Sequence, residues 1–159
     1  MVHAESSSVF RLHKPKLVAH RGFAAKYPEN TLAGFEAAIA LGCQYLELDI
    51  QICKDLQAVV IHDTNLQRTG GRNIEVLDSY WAEIQNETIG EAARFGDQYS
   101  SEKLPLLSDV VRLLQQNPTV HTFVEIKEES VARYGANTVL QTVCKAIEPV
   151  SQQCTLISF

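Results

Sequence analysis

The sequence predicts an α/β fold with a parallel sheet, the opening part of a (β/α) barrel with about five strands present. Short apolar, β-prone runs alternate with stretches of helical periodicity, as in chains built from βα units. Four of those runs carry ionisable side chains at or near their C-terminal ends, the rim on which barrel enzymes place their active sites. The 159 residues suffice for one globular domain with a real core, but a complete eight-stranded barrel takes roughly 250.

Residues 1–16 are polar and mixed and read as a flexible lead-in, with residues 17–159 as one partial barrel domain. The first strand covers Leu17 to Arg21. A loop with Gly22, Pro28 and Asn30 follows. Asn30 or Thr31 can cap a helix that runs to Leu41 and stops at Gly42, with Leu32, Phe35 and Ile39 on one face. The second strand spans Tyr45 to Cys53 and the third Ala58 to His62. From Asp63 to Pro105 periodicity is weak, apart from a short helix around Ser79 to Ile84. A segment of this kind is a lid, a binding loop or disordered. Ser108 can cap a helix through Gln115, with Val110, Val111 and Leu114 inward. Thr122 to Lys127 forms the fourth strand. Asn137 to Glu148 forms a helix with Leu140, Val143, Cys144 and Ile147 on its apolar side, and Thr155 to Phe159 opens a fifth strand. A barrel cut there has two open edges and an exposed inner wall. A homodimer in which two partial barrels cover each other's edges is one way to close it.

Composition narrows the partners. A net charge of −5 gives no basic footprint for nucleic acid or for anionic lipid. No apolar run approaches the roughly 20 residues of a membrane helix, and residues 1–16 lack the apolar centre of a secretory signal. Cys43, Cys53, Cys144 and Cys154 show no CxxC spacing and read as free thiols in a reducing compartment, with the cytoplasm as the expected location.

The chemistry sits on the strands. Glu47 and Asp49 lie two apart in Tyr45-Leu46-Glu47-Leu48-Asp49-Ile50, so a strand points both to one face and the apolar residues to the other. Paired carboxylates repel unless a cation or proton lies between them, and a hard divalent metal is the natural occupant. His20 and Arg21 end the first strand, His62 ends the third, and Glu125 and Lys127 share a parity on the fourth.

In order along the chain, His20-Arg21-Gly22, Pro28-Glu29-Asn30-Thr31, Glu47-Leu48-Asp49, His62-Asp63 and Glu125-Ile126-Lys127 resemble the glycerophosphodiester phosphodiesterase family. Lys54-Asp55, Leu66 with Arg68-Thr69, and Leu104-Pro105 are similar as well, so the resemblance runs from Leu17 to Phe159. No single motif is specific; five in the right order are. The resemblance implies a TIM-barrel hydrolase that cleaves glycerophosphodiesters, such as deacylated phospholipids, to sn-glycerol 3-phosphate and an alcohol. By the same resemblance Glu47, Asp49 and Glu125 match metal ligands for Ca2+ or Mg2+. His20 and His62 match the catalytic acid and base, in an order the sequence leaves open. Arg21 and Lys127 match groups that hold the phosphate. The family often has a second threonine where Gly70 stands, which reads as slightly loosening the loop after the third strand, and its members run on through three more strands.

The residue types suit that reaction. A divalent ion neutralises the diester and lowers the pKa of a bound hydroxyl or water. Arg21 can fork onto phosphate oxygens, and Lys127 supplies a point charge. Two imidazoles can divide the proton work near neutral pH. Plainer readings compete: structural histidines at strand ends, a solvated face for Glu47 and Asp49, a same-face ion pair of Glu125 with Lys127, and Asp63 as a turn cap. His3, His13 and His121 read as surface residues. The competing functions are a related barrel phospholipase, of the phosphatidylinositol phospholipase C or sphingomyelinase D type, and a non-catalytic fragment of a larger barrel.

Overall fold

Five strands make one sheet in the computed structural model, which describes residues 15–159: β1 (Val18–His20), β2 (Tyr45–Ile52), β3 (Ala58–Val60), β4 (His121–Ile126) and β5 (Cys154–Ile157). Residues 1–14 of the expected lead-in, with His3 and His13, lie outside the described residues. β1, β2, β4 and β5 lie side by side and parallel in that order, the arrangement of an incomplete barrel. β3 departs from the expectation of a third barrel strand. It pairs antiparallel with the end of β2, Ile50 opposite Val60. A parallel return needs a crossover of about a dozen residues or more, and residues 53–57 allow only a hairpin. Leu56 takes a left-handed conformation in that hairpin, with φ 58°.

The described residues form seven α-helices: α1 (Leu32–Ala40), α2 (Gln67–Gly70), α3 (Trp81–Ile84), α4 (Ala92–Phe95), α5 (Leu107–Gln116), α6 (Glu128–Tyr134) and α7 (Ala136–Ile147). Alternation along β2 decides what each face does. Leu46, Leu48, Ile50 and Ile52 point outward and are fully buried against Phe35, Val110, Leu114, Val139 and Val143. That leaves Glu47, Asp49 and Gln51 on the inner face. Thr31 caps α1, its hydroxyl accepting the Gly34 N–H at 3.1 Å. α5 starts two residues earlier than expected, with Leu106 and not Ser108 at its cap: Asp109 reaches back to accept the Leu106 N–H at 2.8 Å, and Ser108 falls inside the first turn. On α7 the inward stripe is Val139, Val143 and Ile147, whereas Leu140 and Cys144, one step round the helix, are exposed. His121 is half-buried at the start of β4, its Nε2 2.8 Å from Thr155 Oγ1.

Residues 63–105 are ordered and carry a second apolar core. Ile61, Leu66, Val76, Ile84, Ile89 and Leu104 close over Cys53 and Val59. Gly70 tightens this segment rather than loosening it. A Cβ there would sit 2.5 Å from the Thr88 carbonyl oxygen, so only glycine lets the two backbones pass. All four cysteines are free thiols. No helix among the described residues is long and apolar enough to cross a membrane.

Gly70→Ala therefore destabilises the fold by about 1–3 kcal/mol, the usual cost of overpacking. A chemical-denaturation midpoint equal to that of the parent chain would contradict the close approach.

Candidate active site

Strand register assembles the site. β1 sets His20 opposite Glu47, and β4 sets Glu125 opposite Asp49. One carboxylate oxygen from each of Glu47, Asp49 and Glu125 lies within 4.8 Å of the others. Glu47 is 6% exposed and Asp49 not at all.

The turn after β1 wraps over these carboxylates. Arg21 and Asn30 are both left-handed at φ 56°, and Gly22 follows at φ 81° with the Gly34 carbonyl carbon 2.8 Å from where a Cβ would stand. The Arg21 N–H donates to Glu47 Oε2 at 2.9 Å. Its guanidinium donates to Glu29 at 3.1 Å, and its Nε lies 3.0 Å from Asp49 Oδ2, an ion-pair contact out of line for a hydrogen bond. Asn30 donates its amide to Asp49 Oδ2 at 3.0 Å and accepts the Asp49 N–H at 3.2 Å. Lys127 Nζ is 2.7 Å from Glu125 Oε1 and 3.6 Å from Asp49 Oδ1. His20 Nε2 stands 3.8 Å from Glu47 Oε2 on a side chain that is largely exposed.

Three carboxylates thus face two cations. Burial first, then the charges of Asp49 and Glu125, push the Glu47 carboxyl up to about 7, against the pull of the Arg21 N–H. Burial pushes the Lys127 ammonium down. The Glu125 hydrogen bond and the Asp49 charge outweigh it and hold its pKa above the ordinary lysine value. Glu47 Oε1 and Asp49 Oδ1 are buried with no hydrogen-bond partner. Two orphaned carboxylate oxygens beside a third carboxylate fit a hard divalent cation and offer no soft ligand.

His62 stands apart from this cluster. Its Nδ1 is 2.8 Å from Asp63 Oδ1, and Gln51 on β2 donates to its main-chain carbonyl at 3.2 Å. Asp63 is gripped by Arg68, which also grips Glu29, and Glu29 accepts from Arg21. The structure therefore brings His20, Arg21, Glu47, Asp49, Glu125 and Lys127 together directly and links His62 to them through this chain of charges. Reading the sequence missed the parts played by Glu29, Asn30, Gln51, Asp63 and Arg68. Gln51 was legible as the next residue on the Glu47–Asp49 face. Asp63 is more than a turn cap, since it holds the histidine ring.

The raised Glu47 pKa has a definite sign. The folded chain binds this proton more tightly than the unfolded one. The contribution is fully present below about 4.5 and is lost as pH rises through about 7, on the order of 3 kcal/mol. Without metal, Glu47→Gln raises the melting temperature at pH 8 and leaves it nearly unchanged at pH 4.5. Equal shifts at both pH values would contradict the repulsion.

The chain's similarity to known proteins agrees with this geometry. The model of the glycerophosphoryl diester phosphodiesterase family matches residues 20–151. A glycerophosphodiester phosphodiesterase of Bacillus altitudinis is 38% identical over 75% of this chain and 47% of its own length. A human lysophospholipase D is 45% identical over 76% of this chain and 42% of its own length. The chain thus spans about half the length of the curated relatives it matches. Among solved structures, a glycerophosphodiester phosphodiesterase of Agrobacterium tumefaciens superposes with a TM-score of 0.75 at 27% identity, covering 92% of this chain and 58% of that one. A phosphodiesterase of Oleispira antarctica, solved with the product sn-glycerol-3-phosphate, shares the fold with a TM-score of 0.68 at 23% identity, over 91% of this chain and 65% of that one. Four ionisable side chains aligned by strand register, with Arg21 and Lys127 one residue past the strand ends, and a family match over residues 20–151, lead to one conclusion: this chain is a member of the glycerophosphoryl diester phosphodiesterase family.

Proposed function

We propose that the chain carries out metal-dependent hydrolysis of glycerophosphodiesters to sn-glycerol 3-phosphate and an alcohol. The observation that carries this reading is the pair of orphaned, buried carboxylate oxygens of Glu47 and Asp49 beside Glu125. Those three residues would hold Mg2+ or Ca2+, which supplies charge neutralisation and a more acidic hydroxyl or water. Arg21 and Lys127, already at the cluster, give up part of their pairing to Glu29, Asp49 and Glu125 and take the phosphate oxygens as a fork and a point charge. They also stabilise the added negative charge of the transition state. His20 and His62 divide the proton work: one takes the proton of the attacking hydroxyl and the other gives one to the leaving alkoxide.

The proposal takes residues 17–159 as one partial domain of the enzyme acting on a small diester. Free thiols at all four cysteines suit a cytoplasmic setting. Among the described residues β1 and β5 each have a strand on one side only, and a second copy of the chain would be one cover for them. The human lysophospholipase D relative favours a second reading, in which the glycerol side of the substrate carries an acyl chain.

Release of sn-glycerol 3-phosphate from glycerophosphocholine is expected with Mg2+ or Ca2+ and not with EDTA. His20→Ala and His62→Ala each lower the rate by about 10²–10⁴-fold, the usual worth of a positioned acid or base. Turnover that survives EDTA and both substitutions would overturn the proposal. Cleavage of lysophosphatidylcholine in place of glycerophosphocholine would favour the second reading.

A further inference from the structure

We propose that Arg68 is a positioning residue for His62, holding the imidazole in the form with its proton on Nδ1 and Nε2 free to exchange protons with substrate. The inference rests on the reading of His62 as one of the two proton-transfer groups. Arg68 extends from α2 and makes four hydrogen bonds to two carboxylates. Nε donates to Asp63 Oδ2 at 2.7 Å and Nη2 to Asp63 Oδ1 at 3.1 Å. Nη1 donates to Glu29 Oε2 at 3.0 Å and Nη2 to Glu29 Oε1 at 2.7 Å. A half-exposed arginine in one simple pair contributes little. A guanidinium forked onto two carboxylates at once is different in kind, and lysine cannot copy it.

One end of the fork is fixed. Glu29 is buried, its N–H donates to the buried Glu91 carboxylate at 2.8 Å, and its Oε1 also takes the Arg21 Nη1. Arg68 transmits that fixity to Asp63, whose side chain would otherwise be free to turn toward solvent. With both Asp63 oxygens held, Oδ1 stays 2.8 Å from His62 Nδ1. A carboxylate only accepts, so Nδ1 must carry the hydrogen, and in the neutral ring Nε2 is the bare nitrogen. Burial alone would push the Asp63 carboxyl up. The hydrogen bonds from Arg68 and His62 win and hold it below the usual range, so it remains an acceptor. The same residues join the His62 end of the site to Arg21, whose N–H is on Glu47. Neither Arg68 nor Glu29 touches the reacting atoms in this account.

The test is the tautomer of His62, read from its ring nitrogen-15 shifts in the full chain, which needs no turnover. The parent chain is expected to show neutral His62 as the Nδ1–H form alone. In Arg68→Gln, and equally in Arg68→Lys, the Nε2–H form is expected to appear. An unchanged Nδ1–H form in Arg68→Gln overturns the proposal, and an unchanged form in Arg68→Lys overturns the role of the fork. Should Arg68→Gln fail to fold, Glu29→Gln, which frees the fixed end, is read in the same way with the same two outcomes. Where turnover is measurable, Arg68→Gln lowers kcat about 10–100-fold with KM and the metal requirement unchanged. Loss of diesterase activity from every variant and from the parent chain would refute the proposed function and leave the tautomer result standing by itself.

Discussion

Repulsion among Glu47, Asp49 and Glu125 is the constraint around which this chain is arranged. Their positions follow from the sheet: the register that buries Leu46, Leu48 and Ile50 against the helices forces Glu47 and Asp49 inward, and the β2–β4 pairing brings Glu125 alongside. Everything at the C-terminal rim then answers that charge. Arg21 turns left-handed to bring both its N–H and its guanidinium to the cluster, Asn30 supplies an amide, and Lys127 bridges Glu125 and Asp49. Even so, two oxygens stay unsatisfied, and Glu47 holds its proton to about pH 7. A cluster of this kind costs stability without a cation, and the proposed divalent ion would offset that cost.

How much of this was legible depends on the range of each signal. The parity of Glu47 and Asp49 is a local property of an extended chain, so it could be read directly. A cap at Asn30 or Thr31 was legible for the same reason, and Thr31 makes it with its own hydroxyl and the Gly34 N–H. The direction of β3 was also available, from the shortness of residues 53–57, yet the apolar run of Ala58 to Ile61 masks it because a buried hairpin strand and a barrel strand look alike in composition. What could not be read were contacts across long separations. Arg68 meets Glu29 across a sequence separation of 39, and Glu29 meets Glu91 across one of 62. Gly70 reads as permissive until Thr88 is placed against it.

The segment from 63 to 105 has a structural part in the site. Its own apolar core anchors it, and from there Glu91 and Arg94 reach the loop after β1, the first at the Glu29 N–H and the second at the Ala24 carbonyl. Tyr99 adds its hydroxyl to the Lys26 carbonyl. The loop that carries Arg21 and Asn30 is thus held by the sheet on one side and by this segment on the other. His62, two residues past the end of the short hairpin strand β3, is brought to the same rim by the Ile61 N–H on the Asp49 carbonyl and by Gln51.

The central claim is that the three carboxylates form a site for one hard divalent ion. Calorimetric titration of the metal-free chain with Ca2+ and with Mg2+ tests it most directly. One ion is expected to bind per chain, and Asp49→Asn, whose side chain keeps the shape but not the charge, is expected to lose that binding. Absence of binding, or binding that Asp49→Asn leaves intact, would contradict it.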